Sequence, residues 1–92
     1  MQVKATRVFM RNLKKLSKKH YDMAKLKYVI SLIKNGDDKL LVRRFDRHIL
    51  TGDKFGIYEL HLERNWLLLY QIDGTDQLVL LLLDTGSHDI LR

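Results

Sequence analysis

Residues 56–88, GIYELHLERNWLLLYQIDGTDQLVLLLLDTGSH, contain three consecutive predicted β-strands that decide the fold. Residues 56–62 alternate in polarity, so we expect a strand with one face buried and the other exposed. Residues 65–72 are largely apolar on both faces, and residues 78–83 are uninterrupted Leu and Val. These two segments are predicted to be central strands, covered on both sides or nearly so.

A tight turn is predicted between the two central strands. It contains Asp73-Gly74, a dipeptide typical of hairpins, in which Gly74 supplies a positive φ. The two strands are therefore expected to pair antiparallel.

Two amphipathic helices are predicted before the strands. After a short edge strand at residues 2–5, Thr6 is a candidate N-cap, and residues 7–19 combine apolar positions at helical spacing with six Lys and Arg on the outer face. Asp22 is a second candidate N-cap, and Gly36 is placed to end the helix that follows it. The sequence thus predicts an α+β fold, in which an N-terminal helical hairpin packs on a small antiparallel sheet.

The segment between the second helix and the first of the three strands is less regular. We expect residues 37–55 to form a loop, anchored by Phe45, Ile49 and Leu50.

Length and composition restrict the class of protein. The 92 residues are predicted to form a single domain, 1–92, with room for one helical layer on one sheet. The chain has no cysteine, so it has neither disulfides nor a thiolate metal site, which suits a reducing cytoplasm. Its longest apolar run is far too short to span a membrane. We expect a cytoplasmic protein with no membrane partner, no metal and no cofactor.

Positive charge is concentrated in one half of the chain. Residues 1–47 hold 14 of the 17 Lys and Arg but 4 of the 11 Asp and Glu, whereas residues 48–92 are mildly acidic. This asymmetry favours a polyanionic partner, because Lys and Arg that contact phosphates release counterions. The other interpretation, which charge alone leaves open, is a solvated helical face.

The candidate chemistry rests on histidine. The sequence has no Gly-rich phosphate loop, no metal-helix histidine pair and no nucleophile elbow. His48, His61 and His88 lie in or beside turns next to strands, and imidazole both takes and gives a proton near neutral pH. With a guanidinium and a stacking ring such as Trp66, such groups suffice to cleave RNA without a metal. Surface histidines and a core Trp66 are the alternative interpretation.

Four segments resemble one known family. They are KHYDMAKL (19–26), RHILTG (47–52), ELHLERNWLLLY (59–70) and TGSH (85–88), and they are similar, in order, to the YafQ branch of the RelE/ParE toxins of bacterial type II toxin-antitoxin systems. The resemblance implies a microbial-RNase fold and a toxin that enters the ribosomal A site to cut mRNA. It also implies a cognate antitoxin, encoded alongside, which neutralises the toxin and with it represses their operon, so that operator DNA is contacted only through the antitoxin.

The resemblance also implies site residues. It makes His48, His61 and His88 catalytic candidates, with Asn65 and Asp84 in the same catalytic set, and makes Trp66 a positioning residue. Asn65 and Asp84 stand where the family usually has Asp and Arg, and a carboxylate at position 84 would repel a phosphate. The predicted contacts to mRNA and 16S rRNA include Trp66 and the following cations: Arg43, Arg44, Arg47, Arg64, Arg92, Lys14, Lys15, Lys18 and Lys19.

Three functions therefore remain open from the sequence. The first is a ribosome-dependent, metal-independent endoribonuclease. The second is a ParE-like toxin that inhibits a protein target without cutting RNA. The third is an attenuated toxin that acts mainly with its antitoxin as a co-repressor. The histidines at strand ends favour the nuclease.

Overall fold

The computed structural model describes residues 1–74 and 78–87, and this part of the chain forms an α+β fold with helices on one face of a five-stranded sheet. The elements are β1 (Gln2–Ala5), α1 (Arg7–Lys18), α2 (Met23–Asn35), α3 (Asp38–Phe45), β2 (His48–Ile49), a 3₁₀ turn (Gly52–Lys54), β3 (Tyr58–Glu63), β4 (Trp66–Asp73) and β5 (Val79–Gly86). None of the described helices is both long and apolar enough to cross a bilayer.

The strand order is β1-β5-β4-β3-β2, so the two apolar segments predicted to be central are indeed interior strands. Strands β2 to β5 pair antiparallel, as expected, but β1 pairs parallel with β5. The predicted α+β fold is confirmed, and the parallel pairing of β1 makes the sheet mixed, where an antiparallel sheet was predicted. Gly74, before the undescribed residues 75–77, has a φ of 113°, which confirms the positive φ predicted for the hairpin.

The ends of the first two helices follow the local signals in the sequence. The side chain of Thr6 accepts a hydrogen bond from the backbone N–H of Phe9 over 3.0 Å, and that of Asp22 accepts one from Lys25 over 3.1 Å. Gly36 ends α2 in the left-handed region, with a φ of 70°. All three predicted caps are confirmed, since capping depends on residues close in sequence.

The prediction of a loop over residues 37–55 is wrong for α3, at Asp38–Phe45, and for the short strand β2, at His48–Ile49. Helix α3 has eight residues, and the side chain of Asp37 forms no capping hydrogen bond. Leu41 and Phe45 are buried, so tertiary packing stabilises this helix in place of local signals. Phe45 is an anchor as predicted, whereas Ile49 is 49% exposed and is not.

The two long helices cover the sheet at separate places. Helix α1 packs on β5, whereas α2 packs on α3 and β3. The predicted helical hairpin is thus splayed, and an apolar groove of about 910 Å³ lies between α1 and α2. We call it the α1–α2 groove.

Candidate active site

The alternation of side chains along β3 places the polar residues of this strand on the open face of the sheet. Leu60 and Leu62 are buried in the core that the helices cover. Glu59 and His61 therefore point to the opposite face. Since His48 of β2 is directly paired with Glu59, it projects from that same face. Two of the three predicted histidines are thus brought together there.

The rings of His48 and His61 lie side by side. Their centroids are 6.4 Å apart and their planes are inclined by 29°. Nε2 of His48 is 3.2 Å from Oε1 of Glu59, and Nδ1 of His48 is 3.1 Å from the backbone carbonyl oxygen of Asp46. Both of these oxygens accept hydrogen bonds, and only a doubly protonated imidazole donates to both. Both ring nitrogens of His48 therefore face a hydrogen-bond acceptor.

Asp46 links the two rings to the end of α3. Its side-chain Oδ2 lies 3.5 Å from Nδ1 of His61, while its backbone oxygen faces His48. Asp46 has a φ of 50°, a left-handed conformation that Asp tolerates better than most residues. Neither Asp46 nor Glu59 was predicted as a site residue. The signal for Glu59 was present in its spacing of two from His61 within a strand.

Trp66 is buried in the core and is not exposed at this site. Its side chain is 1% exposed, and Nε1 donates a hydrogen bond over 2.9 Å to Oγ1 of Thr85, which in turn donates to the carbonyl oxygen of Leu67. Tyr21 contacts the indole edge-on, with centroids 5.1 Å apart. A ring packed in this way has no free face for a nucleobase, so the predicted stacking of a base on Trp66 does not fit the structure. The hydrogen bond of Trp66 links the start of β4 to Thr85 of β5.

Asp84 lies away from the paired histidines. His48 pairs with Glu59, Glu59 pairs with Leu69, and Leu69 pairs with Asp84, each on the next strand of the sheet. His48 and Asp84 are therefore three strand spacings apart, about 14 Å. Oδ1 of Asp84 accepts a hydrogen bond over 2.6 Å from Nδ2 of Asn12 in α1. The structure therefore does not bring the carboxylate of Asp84 to His48.

Arg47 is occupied by contacts within the protein. Its guanidinium donates to Oδ1 of Asp38 over 2.7 Å and lies 5.0 Å from the ring centroid of Tyr58. It also lies beside the buried Oη of Tyr70, near enough to act on its charge but outside hydrogen-bond geometry. Burial lowers the pKa of Arg47, and its neighbours, Asp38 foremost, raise that pKa by more. Arg47 is thus held on the helix side of the sheet.

The remaining predicted cations and Asn65 lie on the surface. Exposed side chains are found on the outer side of α1 and at its end, on α3 and in the β3–β4 turn; they are Lys14, Lys15, Lys18, Lys19, Arg43, Arg44, Arg64 and Asn65. His88 and Arg92 fall outside the described residues.

Metal-binding side chains are not grouped in the part of the chain that the structure describes. Across residues 1–74 and 78–87, no three His, Cys, Asp or Glu side chains are placed to hold a metal ion.

The fold defines the class of protein. Two solved structures of bacterial toxins have the same fold. YafQ in the DinJ-YafQ complex from Escherichia coli is 31% identical, with a TM-score of 0.82 over 98% of this chain and 96% of that one. A metal-bound toxin from Helicobacter pylori is 28% identical, with a TM-score of 0.86 over 100% of this chain and 99% of that one. The chain thus has the fold of a bacterial toxin.

Sequence comparison defines the family. The family model described as the bacterial toxin of type II toxin-antitoxin system, YafQ, matches residues 1–92. The mRNA interferase toxin YafQ of Escherichia coli strain K12 is 36% identical over 83 residues, which cover 90% of this chain and 86% of that protein. The chain belongs to the YafQ toxin family, as its sequence segments indicated.

Proposed function

We propose that this protein is an endoribonuclease toxin that cuts mRNA in the ribosomal A site by acid–base chemistry without a metal. The observation that carries the proposal is the pair of imidazoles on the open face of the sheet, with centroids 6.4 Å apart. The kinship with an mRNA interferase supports it, because the chain shares that fold and most of that sequence span.

The reaction is an internal transfer at phosphorus. One neutral imidazole takes the proton of the 2′-hydroxyl, the 2′-oxygen attacks the adjacent phosphorus, and the bond from phosphorus to the 5′-oxygen breaks. A second, protonated imidazole gives its proton to the leaving 5′-oxygen, which yields a 2′,3′-cyclic phosphate and a 5′-hydroxyl. His48 is the member of the pair whose two ring nitrogens both face hydrogen-bond acceptors, so it is assigned the donor role. His61 and His88 are the candidates for the base.

A cation is also needed near the reacting phosphate, where negative charge increases in the transition state. The guanidinium of Arg47 is already in contact with Asp38 and Tyr58. Asp84 carries a negative charge and is hydrogen-bonded to Asn12, so it does not supply the cation. The exposed Arg43, Arg44 and Arg64, and Arg92 beyond the described residues, are therefore the candidates.

The basic outer face of α1 is proposed to contact ribosomal RNA. Its lysines are exposed, and phosphate contacts of this kind need no base sequence. In this proposal, Lys14, Lys15, Lys18 and Lys19 hold 16S rRNA while the open face of the sheet meets the mRNA. The toxin then acts in the cytoplasm, where ribosomes are found.

The regulatory partner in this proposal is a cognate antitoxin. The related YafQ has been solved with the antitoxin DinJ. An antitoxin encoded beside this toxin neutralises it, and the pair binds operator DNA through the antitoxin.

Mapping of mRNA 3′ ends after induction tests the nuclease. The wild type is expected to produce cuts at fixed positions within translated codons. His48→Asn and His61→Asn should each lower the cleavage rate by about 10²- to 10⁴-fold, because each removes a proton-transfer group. His20→Asn is the matched control, since His20 lies outside the pair and its φ of 64° suits Asn.

The same experiment separates the other toxin mechanisms. Arrested growth with intact message would refute the nuclease and favour a toxin that inhibits a protein target. Cleavage of naked RNA at the same rate and positions as ribosome-bound mRNA would refute the dependence on the ribosome.

A further inference from the structure

Strand β2, which carries His48, is attached to the sheet by very little backbone. It has two residues, of which His48 pairs with Glu59 and Ile49 pairs with Tyr58. It is also an edge strand, beside β3. His48 and Ile49 are both exposed, so their side chains add little packing. The position of His48 therefore depends on what holds the chain on either side of this strand.

Arg47 holds the chain immediately before β2. Its backbone N–H donates to the carbonyl oxygen of Leu41 over 3.1 Å, which ties it to α3. Its guanidinium donates to Oδ1 of Asp38 over 2.7 Å and lies 5.0 Å from the ring centroid of Tyr58. The side chain of Arg47 is 15% exposed, although it carries a charge. We call Asp38, Arg47 and Tyr58 the Arg47 cluster, which connects the start of α3 to β3 beside His48.

The Arg47 cluster and the side chain of His48 lie on opposite faces of the sheet. The ring of Tyr58 packs against the core on the helix side, and the guanidinium of Arg47 lies against that ring. His48, the next residue along the chain, projects from the open face beside Glu59. A rotation of the backbone that moved His48 would therefore pull the guanidinium away from its contacts.

The ion pair in this cluster contributes little to the stability of the fold. Asp38 is 69% exposed, and an ion pair with a partner in water is worth little because the solvent screens it. Accurate placement of a group that transfers a proton has a much larger effect, since a displacement of about 1 Å lowers a rate by about 10²-fold. The cluster therefore matters most through the residue that it holds.

We infer that the Arg47 cluster is a positioning device, in which Arg47 holds the backbone of β2 so that His48 gives its proton to the leaving group. The inference rests on the proposed function, because Arg47 acts through His48. Arg47 then has a role other than the contact with RNA that the sequence predicted.

Backbone order measured by NMR tests the cluster without RNA. Arg47→Met keeps a long side chain over Tyr58 but removes the cation and its ion pair. The order parameter of the His48 N–H should fall below about 0.6, the range of a flexible backbone, whereas that of His61 in the interior strand β3 should stay near about 0.85. Lys39→Met is the matched control, since Lys39 is an exposed cation of α3 outside the cluster, and both order parameters should be unchanged in it. Equal order of His48 in the wild type and in Arg47→Met would overturn the inference.

A double-mutant cycle tests the role of the cluster in the reaction. Arg47→Met should lower kcat for ribosome-bound mRNA by about 10- to 10²-fold and leave KM unchanged, because a displaced His48 transfers its proton slowly. In the His48→Asn background the same substitution should cause no further loss, since the group that Arg47 positions is absent. Arg47→Lys, which retains the cation, should keep kcat within about threefold of the wild type. Losses of equal size in both backgrounds, or a rise in KM alone, would overturn the inference and favour direct contact of Arg47 with RNA.

The two measurements separate this inference from the proposed function. If the wild type cuts no mRNA but His48 loses order in Arg47→Met, the nuclease is refuted and the Arg47 cluster is retained as the support of β2. If Arg47→Met cuts mRNA at the full rate although His48 is disordered, the positioning role is overturned and the nuclease stands.

Discussion

Asn12 donates a hydrogen bond from Nδ2 to Oδ1 of Asp84 over 2.6 Å and thereby joins α1 to a bulge in β5. The same oxygen of Asp84 accepts the backbone N–H of Thr85 over 2.8 Å. Asn12 is 4% exposed, so its amide has little access to water. The carboxylate of Asp84 therefore connects β5 to α1 through a hydrogen bond to a buried amide.

Asp84→Ala is expected to destabilise the protein. It leaves the buried amide of Asn12 without its acceptor, which costs about 1–3 kcal/mol in the free energy of unfolding. Asp84→Asn keeps an oxygen at the same place and should cost less than about 1 kcal/mol. Urea denaturation measures both variants, and mRNA cleavage by the folded protein should be unchanged in Asp84→Asn. A large loss of cleavage in a fully folded Asp84→Asn would show that the carboxylate acts in catalysis.

The parts of the fold that were predictable are those fixed by local chemistry. Thr6 and Asp22 cap helices through bonds to residues three positions on, and the strands show their polarity directly. Helix α3 was missed because its stability comes from Leu41 and Phe45 in the core, which no local signal reveals. The parallel pairing of β1 with β5 likewise joins residues far apart in sequence.

The candidate site was predictable in the same uneven way. His61 stands on the strand where the sequence placed it, whereas His48, predicted to lie in a loop, is on the short strand β2. The face on which Glu59 lies follows from the alternation of β3, although Glu59 was not predicted as a site residue. Asn12 and Asp84 are 72 positions apart in the sequence, so local sequence patterns do not predict the hydrogen bond between them. The same holds for Asp46, which reaches His61 only because α3 ends beside β3.

Trp66 provides an optical test of its burial, since it is the only tryptophan of the chain. An indole that is 1% exposed should emit at short wavelength and resist quenching by acrylamide. Addition of RNA oligonucleotides should not change its emission, because the ring has no open face. Unfolding in urea supplies the control, in which quenching should rise. Strong quenching in the native protein, or a response to RNA, would restore the stacking role.

The proton-donor role of His48 can be tested through the leaving group. A sulfur atom in place of the 5′-oxygen leaves without protonation, so a substrate of this kind does not need a general acid. The rate with ribosome-bound message should recover in His48→Asn by most of the 10²- to 10⁴-fold that is lost with the ordinary substrate. His61→Asn, which lacks a candidate base, should remain slow on both substrates. Recovery in His61→Asn with none in His48→Asn would reverse the assignment of acid and base.

Because the phenol of Tyr70 is buried, we expect the folded protein to lose stability in alkali. Burial raises the pKa of its phenol to about 12, against the opposing charge of Arg47. In the unfolded chain the phenol titrates near its ordinary value of about 10. The folded state therefore retains a proton that the unfolded state releases, so the stabilisation is complete below about pH 10 and is lost as the pH rises through about 12.

Tyr70→Phe isolates this contribution, because it keeps the ring and removes the titrating hydroxyl. The free energy of unfolding of the wild type should fall relative to that of Tyr70→Phe by up to about 3 kcal/mol between about pH 10 and 12. Urea denaturation at a series of pH values measures the difference, and the fall common to both proteins accounts for all other groups. Tyr58→Phe is the matched control, since Tyr58 stacks on Tyr70 with centroids 5.1 Å apart but is only half-buried. If the wild type and Tyr70→Phe lose stability in parallel, the phenol of Tyr70 titrates alike in both states, and its burial does not protect the proton.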